Sequence, residues 1–269
     1  MAAPDRRVLL TNLTNGTAAA AMFTSTFALA GARADTHAII AAWIAACSAY
    51  FVFRPVHHSV RPLALGILLC ALGYLHSWIA GHFPPSIDVG KKGMLYVLLI
   101  LGFAAFLGYT PHLVLNRGLS ISLRSTWFKN ASIALTWTVF SMIPWMLAPP
   151  HSDYGLTERL LSRFLMLLAL SIASDVPDAS LDRGKLRTLA QQLGPMRTEI
   201  IVIVLLLLSL AVQGPGVGAE QLAMLAPVMA MALLFMLRNK WVREWILDGA
   251  IVLHALVLMI FYTPHPVLP

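Results

Sequence analysis

Charged residues are scarce in this chain of 269 residues. They make up 12% of the sequence, whereas soluble domains usually carry about a quarter. Hydrophobic residues make up 58%, and the mean hydropathy is +0.75. Several apolar runs approach the roughly 20 residues that are needed to cross a hydrocarbon core. The composition therefore excludes an ordinary soluble domain and indicates a polytopic membrane protein.

Cysteine is also nearly absent. The two cysteines, Cys47 and Cys70, both lie in apolar segments. Two separated cysteines in such positions exclude a disulfide framework and a cysteine metal cluster. We expect both to be buried and to behave as small hydrophobic residues.

Nine apolar spans can be counted between breaks that carry proline, glycine or charge. They cover about residues 9–31, 37–53, 62–82, 93–109, 131–149, 158–174, 198–213, 219–237 and 245–262. Open strand edges are not tolerated in lipid. The sequence therefore predicts an all-α fold, a polytopic membrane helical bundle of about nine transmembrane helices that forms a single domain over residues 1–269.

Positive charge is in excess, with a net charge of +7 and a pI of about 9.8. In a soluble protein this would indicate a nucleic-acid partner, but in a membrane protein it reports orientation. With the N-terminus in the cytoplasm, 14 of the 19 basic residues fall on that side and five on the other. We expect a cytoplasmic (inner) membrane, a cytoplasmic N-terminus and no nucleic acid.

Acidic residues number only twelve, yet three of them cluster after the sixth span, at Asp175, Asp178 and Asp182. On a continuous helix, positions i, i+3 and i+7 lie within about 60° of one another. Clustered carboxylates suit Mg²⁺, which recruits substrate phosphates to complete its shell. The bases Lys185 and Arg187 follow, as a diphosphate site requires. A solvated loop whose acids balance its bases remains the alternative.

The stretch "SDVPDASLDRGKLRTLAQQLG", residues 174–194, resembles the second aspartate-rich motif of the UbiA superfamily of intramembrane prenyltransferases. That motif reads D-x-x-D-x-x-x-D, followed by a basic and glycine-containing stretch, a Thr-Leu pair and a Leu-Gly pair. Thr188, Leu189 and Gly194 match its second half. The segment "LGYTPHLVLNRGLSISLRSTWFKNASIALTWTVF" is similar to the family's connection between the fourth and fifth helices.

The resemblance implies an integral-membrane prenyltransferase. Such an enzyme uses Mg²⁺-bound isoprenyl diphosphate and a lipophilic acceptor, or cyclises the isoprenoid. The resemblance assigns metal binding and catalysis to Asp175, Asp178 and Asp182. We expect diphosphate binding by basic side chains in and around these segments: Arg54, His58, Arg124, Lys129, Lys185 and Arg187.

The first acidic motif of that family is missing. The corresponding region reads "WIAACSAYFVFRPVHHSVRPL", and no acid occurs between Asp35 and Asp88. Tyr50, Arg54 and His58 keep the i, i+4, i+8 rhythm, and a guanidinium and an imidazole can bind phosphate directly. The alternative is a basic cytoplasmic loop that only obeys topology. A UbiA-fold protein with impaired chemistry, binding an isoprenoid or a protein partner, therefore stands beside the enzyme.

A few side chains inside the spans also stand out. His76 and His254 lie well inside apolar sequence, where ionisable groups are functional candidates. Five aromatic residues are candidates to line an isoprenoid cavity, with ordinary packing as the alternative: Trp43, Tyr74, Trp78, Trp137 and Phe140. Asn130 matches the N-x-S/T glycosylation pattern, which carries little weight on the cytoplasmic side.

Overall fold

The computed structural model describes most of the apolar sequence. The described residues are 6–30, 32–53, 60–81, 93, 96, 97, 99–101, 126–147, 155–176, 188–213, 218–236 and 240–261. Within these ranges the chain is helical, and none of these residues lies in a strand. The prediction of an all-α fold is confirmed for this part of the chain.

The helices follow the apolar spans. They are α1 (Arg6–Leu29), α2 (Thr36–Phe53), α3 (Val60–Gly81), α4 (Thr126–Met146), α5 (Leu156–Asp175), α6 (Leu189–Leu193), α7 (Pro195–Val212), α8 (Gly218–Met236) and α9 (Lys240–Phe261). The described residues between 93 and 101 are also helical. Hydropathy missed two features. The short helix α6 was not predicted. Helices α4 and α9 each begin five residues before their apolar spans, because their first turns contain lysine or arginine and lower the local hydropathy.

Helices α1 and α5 organise the bundle. Helix α1 packs against α2, α4 and α9, and α5 packs against α4, α7 and α9. Successive residues of α1 face two different cores, since Phe23 joins a cluster with Trp78 and Met142, whereas Met22 joins one with Met166. The bundle therefore has two apolar cores separated by α1.

Small residues bring α1 and α2 close together. A Cβ atom added at Gly16 would overlap Cys47 Sγ, and the buried face of α2 consists largely of alanine. Cys47 is buried there, as expected, but Cys70 is exposed. The prediction for Cys70 was wrong because α3 buries the face that carries Leu68, Ala71 and Leu75, and Cys70 lies on another face.

Two helices in the described part of the chain are long and apolar enough to cross a membrane. They are α3 and α7, with mean hydropathies of 1.8 and 2.1 over their most apolar 18 residues. Helix α7 buries Thr198, Val202 and Ser209, while Val204 and Leu207 are about half exposed. Its hydroxyls therefore face inwards, while its outer face is apolar.

Candidate functional site

Asp175 is the last residue of α5 and is only 5% exposed. Val176 is the C-cap of this helix, and Pro177 follows it in the sequence. Proline lacks a backbone N–H and disfavours helical geometry in the residue before it, so the sequence ends the helix here. The structure thus places one of the three predicted aspartates at a buried helix end.

A short hydrogen-bond chain fixes the Asp175 carboxylate. Asn130 Nδ2 on α4 donates to Asp175 Oδ2 over 3.1 Å, and Ser171 Oγ donates to Asn130 Oδ1 over 2.9 Å. The Asn130 side chain is 1% exposed. The amide orients the carboxylate but brings no charge, and the C-terminal end of a helix dipole disfavours an anion. The amide of Asn130 therefore fixes the direction in which the Asp175 carboxylate points.

Asn130 was not among the predicted site residues. It attracted attention only as a glycosylation pattern, because its segment precedes the apolar span. The sequence did indicate a polar site here, because Ser171 and Asp175 lie four residues apart and therefore on one face of α5. A polar face at the end of an apolar helix needs a polar partner on a neighbouring helix.

The second half of the aspartate-rich motif packs at the same end of the bundle. Thr188 caps α6, with its side chain accepting from Gln191 N–H and the Gln191 side chain accepting from Thr188 N–H. Leu189 lies in the same core cluster as Ile172 and Ala173. Gly194 has φ of 83° between α6 and α7, a conformation that favours glycine.

This packing gives the motif residues Thr188, Leu189 and Gly194 structural roles. They return the chain to the end of α5 after residues 177–187. The two ends of the motif therefore lie beside each other.

Most of the other predicted site residues lie outside the described residues. These are Asp178, Asp182, Arg54, His58, Arg124, Lys185 and Arg187. Lys129 belongs to the first turn of α4, beside Asn130, but its side chain is not described. Within the ranges described, three or more His, Cys, Asp or Glu side chains do not gather into a metal-binding group. The shared face of three carboxylates and the diphosphate contacts stay predictions.

An aromatic cluster begins two turns along α4 from Asn130. Tyr50 on α2 stacks on Trp137 with ring centroids 5.7 Å apart and planes at 11°, and Trp137 meets Phe140 edge to face. Residues seven apart lie on nearly the same helical face, roughly 10 Å apart along the axis. Trp137 therefore lies on the Asn130 face of α4, deeper in the bundle than Asp175.

The remaining aromatic candidates lie elsewhere. Trp78 donates from Nε1 to Asp35 Oδ2 over 2.8 Å and packs on Phe27. Trp43 is 40% exposed and Tyr74 is 46% exposed, so both face the outside of the described bundle. His76 is exposed as well. Among the aromatic candidates, only Trp137 and Phe140 extend the Asp175 site into the bundle.

Helix α2 directs its C-terminal end towards this site. Helices α1 and α2 are antiparallel, because Gly16 meets Cys47 and Thr17 meets Trp43. Helices α1 and α4 are parallel, because Phe23 meets Phe140 and Thr26 meets Ser141. The last turn of α2, which Arg54 follows in sequence, therefore lies at the same end as Asn130.

A second polar centre occupies the other end of α5. Arg163 is 5% exposed, and its Nη1 donates to Thr26 Oγ1 over 2.6 Å. Arg159 Nε donates to Glu220 Oε1 over 2.7 Å, and its guanidinium lies 4.3 Å from the Trp145 ring centre. Sequence reasoning used these arginines only to count charges. Arg163 lies roughly 18 Å along the axis from Asp175, at 1.5 Å per residue.

Comparison with known proteins gives no family for this chain. No family model and no curated protein matches it. The resemblance to the UbiA superfamily therefore rests on the quoted segments alone, and function has to be argued from the site.

Proposed function

We propose that the chain is an integral-membrane bundle of about nine spans, with its N-terminus and the Asp175 end facing the cytoplasm. The outward-facing apolar side chains support this, since a soluble monomer rarely exposes such continuous apolar surface. Met196, Ile200 and Val204 on α7 are 75%, 51% and 48% exposed, while the hydroxyls of the same helix face inwards. The charge asymmetry of the loops supports the orientation.

Topology can be tested by labelling single cysteines. In a background with Cys47→Ala and Cys70→Ala, Ser180→Cys should react only from the cytoplasmic side. Pro215→Cys should react only from the opposite side. Labelling of both positions from the same side would contradict the nine-span arrangement.

Within that bundle, the function that we propose is prenyl transfer. The protein would take an isoprenyl diphosphate and a lipophilic acceptor, or cyclise the isoprenoid, at the Asp175 end of α5. One observation carries this proposal. Asp175 is a buried carboxylate at the end of an apolar bundle, and Asn130 fixes its direction. Buried ionisable groups in membrane helices mark functional sites by default.

The described side chains can supply one ligand of a Mg²⁺ ion. Asp175 offers the carboxylate oxygen that this hard cation prefers, and the Asn130–Ser171 chain supplies the outer hydrogen bonds that orient metal ligands. Asp178 and Asp182 would provide the further carboxylates. When bound, Mg²⁺ would neutralise the charge of the departing diphosphate.

The aromatic cluster suits the isoprenoid part of the substrate. Trp137 and Phe140 continue from the Asn130 face of α4 into the apolar interior. An aromatic face attracts positive charge, so these rings would favour the allylic cation that forms as the diphosphate departs. They would also keep the reacting carbon away from water.

A second candidate function has an observation in its favour. Tyr50 belongs to the region where the first acidic motif is missing, and its ring is stacked on Trp137. A tyrosine there does not supply the carboxylate oxygens of the missing acids, which Mg²⁺ prefers. The alternative is therefore a UbiA-fold membrane protein with impaired chemistry that binds an isoprenoid or a protein partner.

One experiment separates these functions. Purified protein in lipid nanodiscs is heated with Mg²⁺ alone, farnesyl diphosphate alone, and both together. Prenyl transfer to a lipid-soluble aromatic acceptor is then followed with a labelled isoprenoid. The proposal expects stabilisation only when both are present, together with labelled product. Stabilisation without product would favour the impaired binder, and the absence of any stabilisation would overturn both.

A further inference from the structure

The polar centre at the N-terminal end of α5 encloses a small cavity. Its volume is about 20 Å³, and about 10–15 Å³ is enough to hold one water molecule. The lining that matters here consists of Arg163, Gln213, His254, Met142, Met166 and Met224. This end of the bundle lies away from Asp175 and has no part in the proposed prenyl transfer.

Two acceptor atoms in the cavity lining have no hydrogen-bond donor among the described residues. His254 is 4% exposed, and its ring hydrogen-bonds to the backbone of Ala223. His254 Nδ1 and Gln213 Oε1 are buried and have no hydrogen-bond partner among the described residues. In neutral histidine, a proton on Nε2 leaves a lone pair on Nδ1. Each open acceptor in a buried site costs free energy unless a donor reaches it.

The same cavity also offers strong donors. A guanidinium carries five N–H groups, and the described hydrogen bonds of Arg163 use only Nη1, to Thr26 and Ser141. A molecule that satisfies these groups would accept one hydrogen bond from a cation and donate two to neutral acceptors. It must also be as small as a single water molecule.

A small anion would suit the charge of the centre but not its hydrogen bonds. Arg159 and Arg163 carry two positive charges against the one negative charge of Glu220, which leaves a net +1. An anion, however, would bring its lone pairs against those of His254 Nδ1 and Gln213 Oε1. Water can accept from the guanidinium and donate to both acceptors, and buried waters typically make about three hydrogen bonds.

We propose that this cavity binds one structural water molecule, which accepts from Arg163 and donates to His254 Nδ1 and Gln213 Oε1. The water would join α5 to α7 and α9 through hydrogen bonds. Thr26 and Ser141 extend the same network to α1 and α4. It would thus connect five helices at this end of the bundle.

X-ray radiolytic footprinting tests this site directly. Hydroxyl radicals form from bound water and oxidise side chains beside it. The buried lining residues Met142 and Met224 should therefore oxidise several-fold faster than Met22 and Met231, because only the first pair lines the cavity. Met22 and Met231 are matched controls, since both are 2% exposed and lie outside the cavity lining. Equal oxidation of the two pairs in the wild-type protein would overturn the proposal.

Two further arms sharpen the result. The double variant His254→Leu, Gln213→Leu removes both acceptors, so oxidation of Met142 and Met224 should fall to the level of the controls. Unchanged oxidation in folded variant protein would overturn the assigned acceptors. Samples that contain gluconate or chloride as the buffer anion should give the same rates of methionine oxidation. A loss of oxidation in chloride would show that an anion occupies the cavity in place of the water.

Discussion

The charged side chains at the two ends of α5 have different kinds of partner. At the N-terminal end, Arg159 pairs with Glu220 and the guanidinium of Arg163 donates to a hydroxyl of α1. At the C-terminal end, the carboxylate of Asp175 is held by the neutral amide of Asn130, beside a segment that carries two more acids and three bases. The first arrangement joins neighbouring helices and serves stability. The second is oriented and suits an external ligand.

The largest effect is expected at the Arg163 end. Glu220→Gln removes the buried acid that pairs with Arg159 and lies near the buried Arg163, and breaking a buried ion pair typically costs about 3–5 kcal/mol. The measurement is reversible unfolding by SDS titration in mixed micelles. Glu158→Gln is the matched control, since Glu158 is exposed on the same helix as Arg159. Equal stability of the two variants would show that this end contributes little.

Replacing the pair together sharpens that result. A buried ion pair exchanged for apolar residues of similar volume is often neutral in stability. The double variant Arg159→Met, Glu220→Met should therefore unfold later than Glu220→Gln alone. If the double variant is the less stable of the two, the pair does more than balance charge.

At the Asp175 end, a change in Asn130 should alter ligand binding as well as stability. Asn130→Leu removes the donor to a buried carboxylate, which costs about 1–3 kcal/mol. It should also weaken Mg²⁺-dependent binding of farnesyl diphosphate by about 10–100-fold, the usual cost of losing a hydrogen bond that orients a metal ligand. Asn130→Gln keeps the amide and is the control. Unchanged binding in both variants would show that Asn130 has no part in ligand binding.

The cap of α6 should have a smaller, local effect. Thr188→Ala removes the side chain that accepts from Gln191 N–H, and losing such a cap costs about 1 kcal/mol. Thr188→Ser keeps the oxygen and should behave like the wild type. Hydrogen exchange of the α6 amides gives the readout. Protected amides in Thr188→Ala would mean that packing of Leu189 alone holds this helix.

The smallest effect concerns Asp35, at the Arg163 end of the bundle. Partial burial acts to raise the pKa of its carboxyl, but hydrogen bonds from the Ala38 and His37 N–H groups and from Trp78 Nε1 hold that pKa below its ordinary value. A lowered pKa stabilises the fold above the ordinary value of about 3.8. The stabilisation is lost as the pH falls through the folded-state pKa.

Trp78→Phe should therefore reduce the loss of stability on acidification, measured as the fall in melting temperature between pH 6 and pH 3. Trp43→Phe removes an indole donor that contacts Thr17 instead, and it should leave the profile unchanged. The same pH dependence in both variants would mean that the Trp78 hydrogen bond does not tune Asp35.

The sequence predicted the helices better than the polar contacts between them. Long apolar runs fix where helices form, and eight of the nine predicted spans coincide with helices of the described ranges, while most of the span 93–109 lies outside them. Helix α6 was missed because five residues with a capping box carry no hydropathy signal. The Asp175–Asn130 and Arg163–Thr26 contacts join residues 45 and 137 positions apart. Single-sequence periodicity reports which face a residue occupies, not which helix covers it.

The central claim is that the C-terminal end of α5 is the ligand site. Isothermal titration of farnesyl diphosphate, with and without Mg²⁺, tests it on the wild type, Asp175→Asn and Asp35→Asn in nanodiscs. The two variants carry the same substitution at opposite ends of the bundle. We predict Mg²⁺-dependent binding by the wild type and Asp35→Asn, and its loss in Asp175→Asn. Binding by Asp175→Asn with the wild-type affinity and Mg²⁺ dependence would contradict the claim.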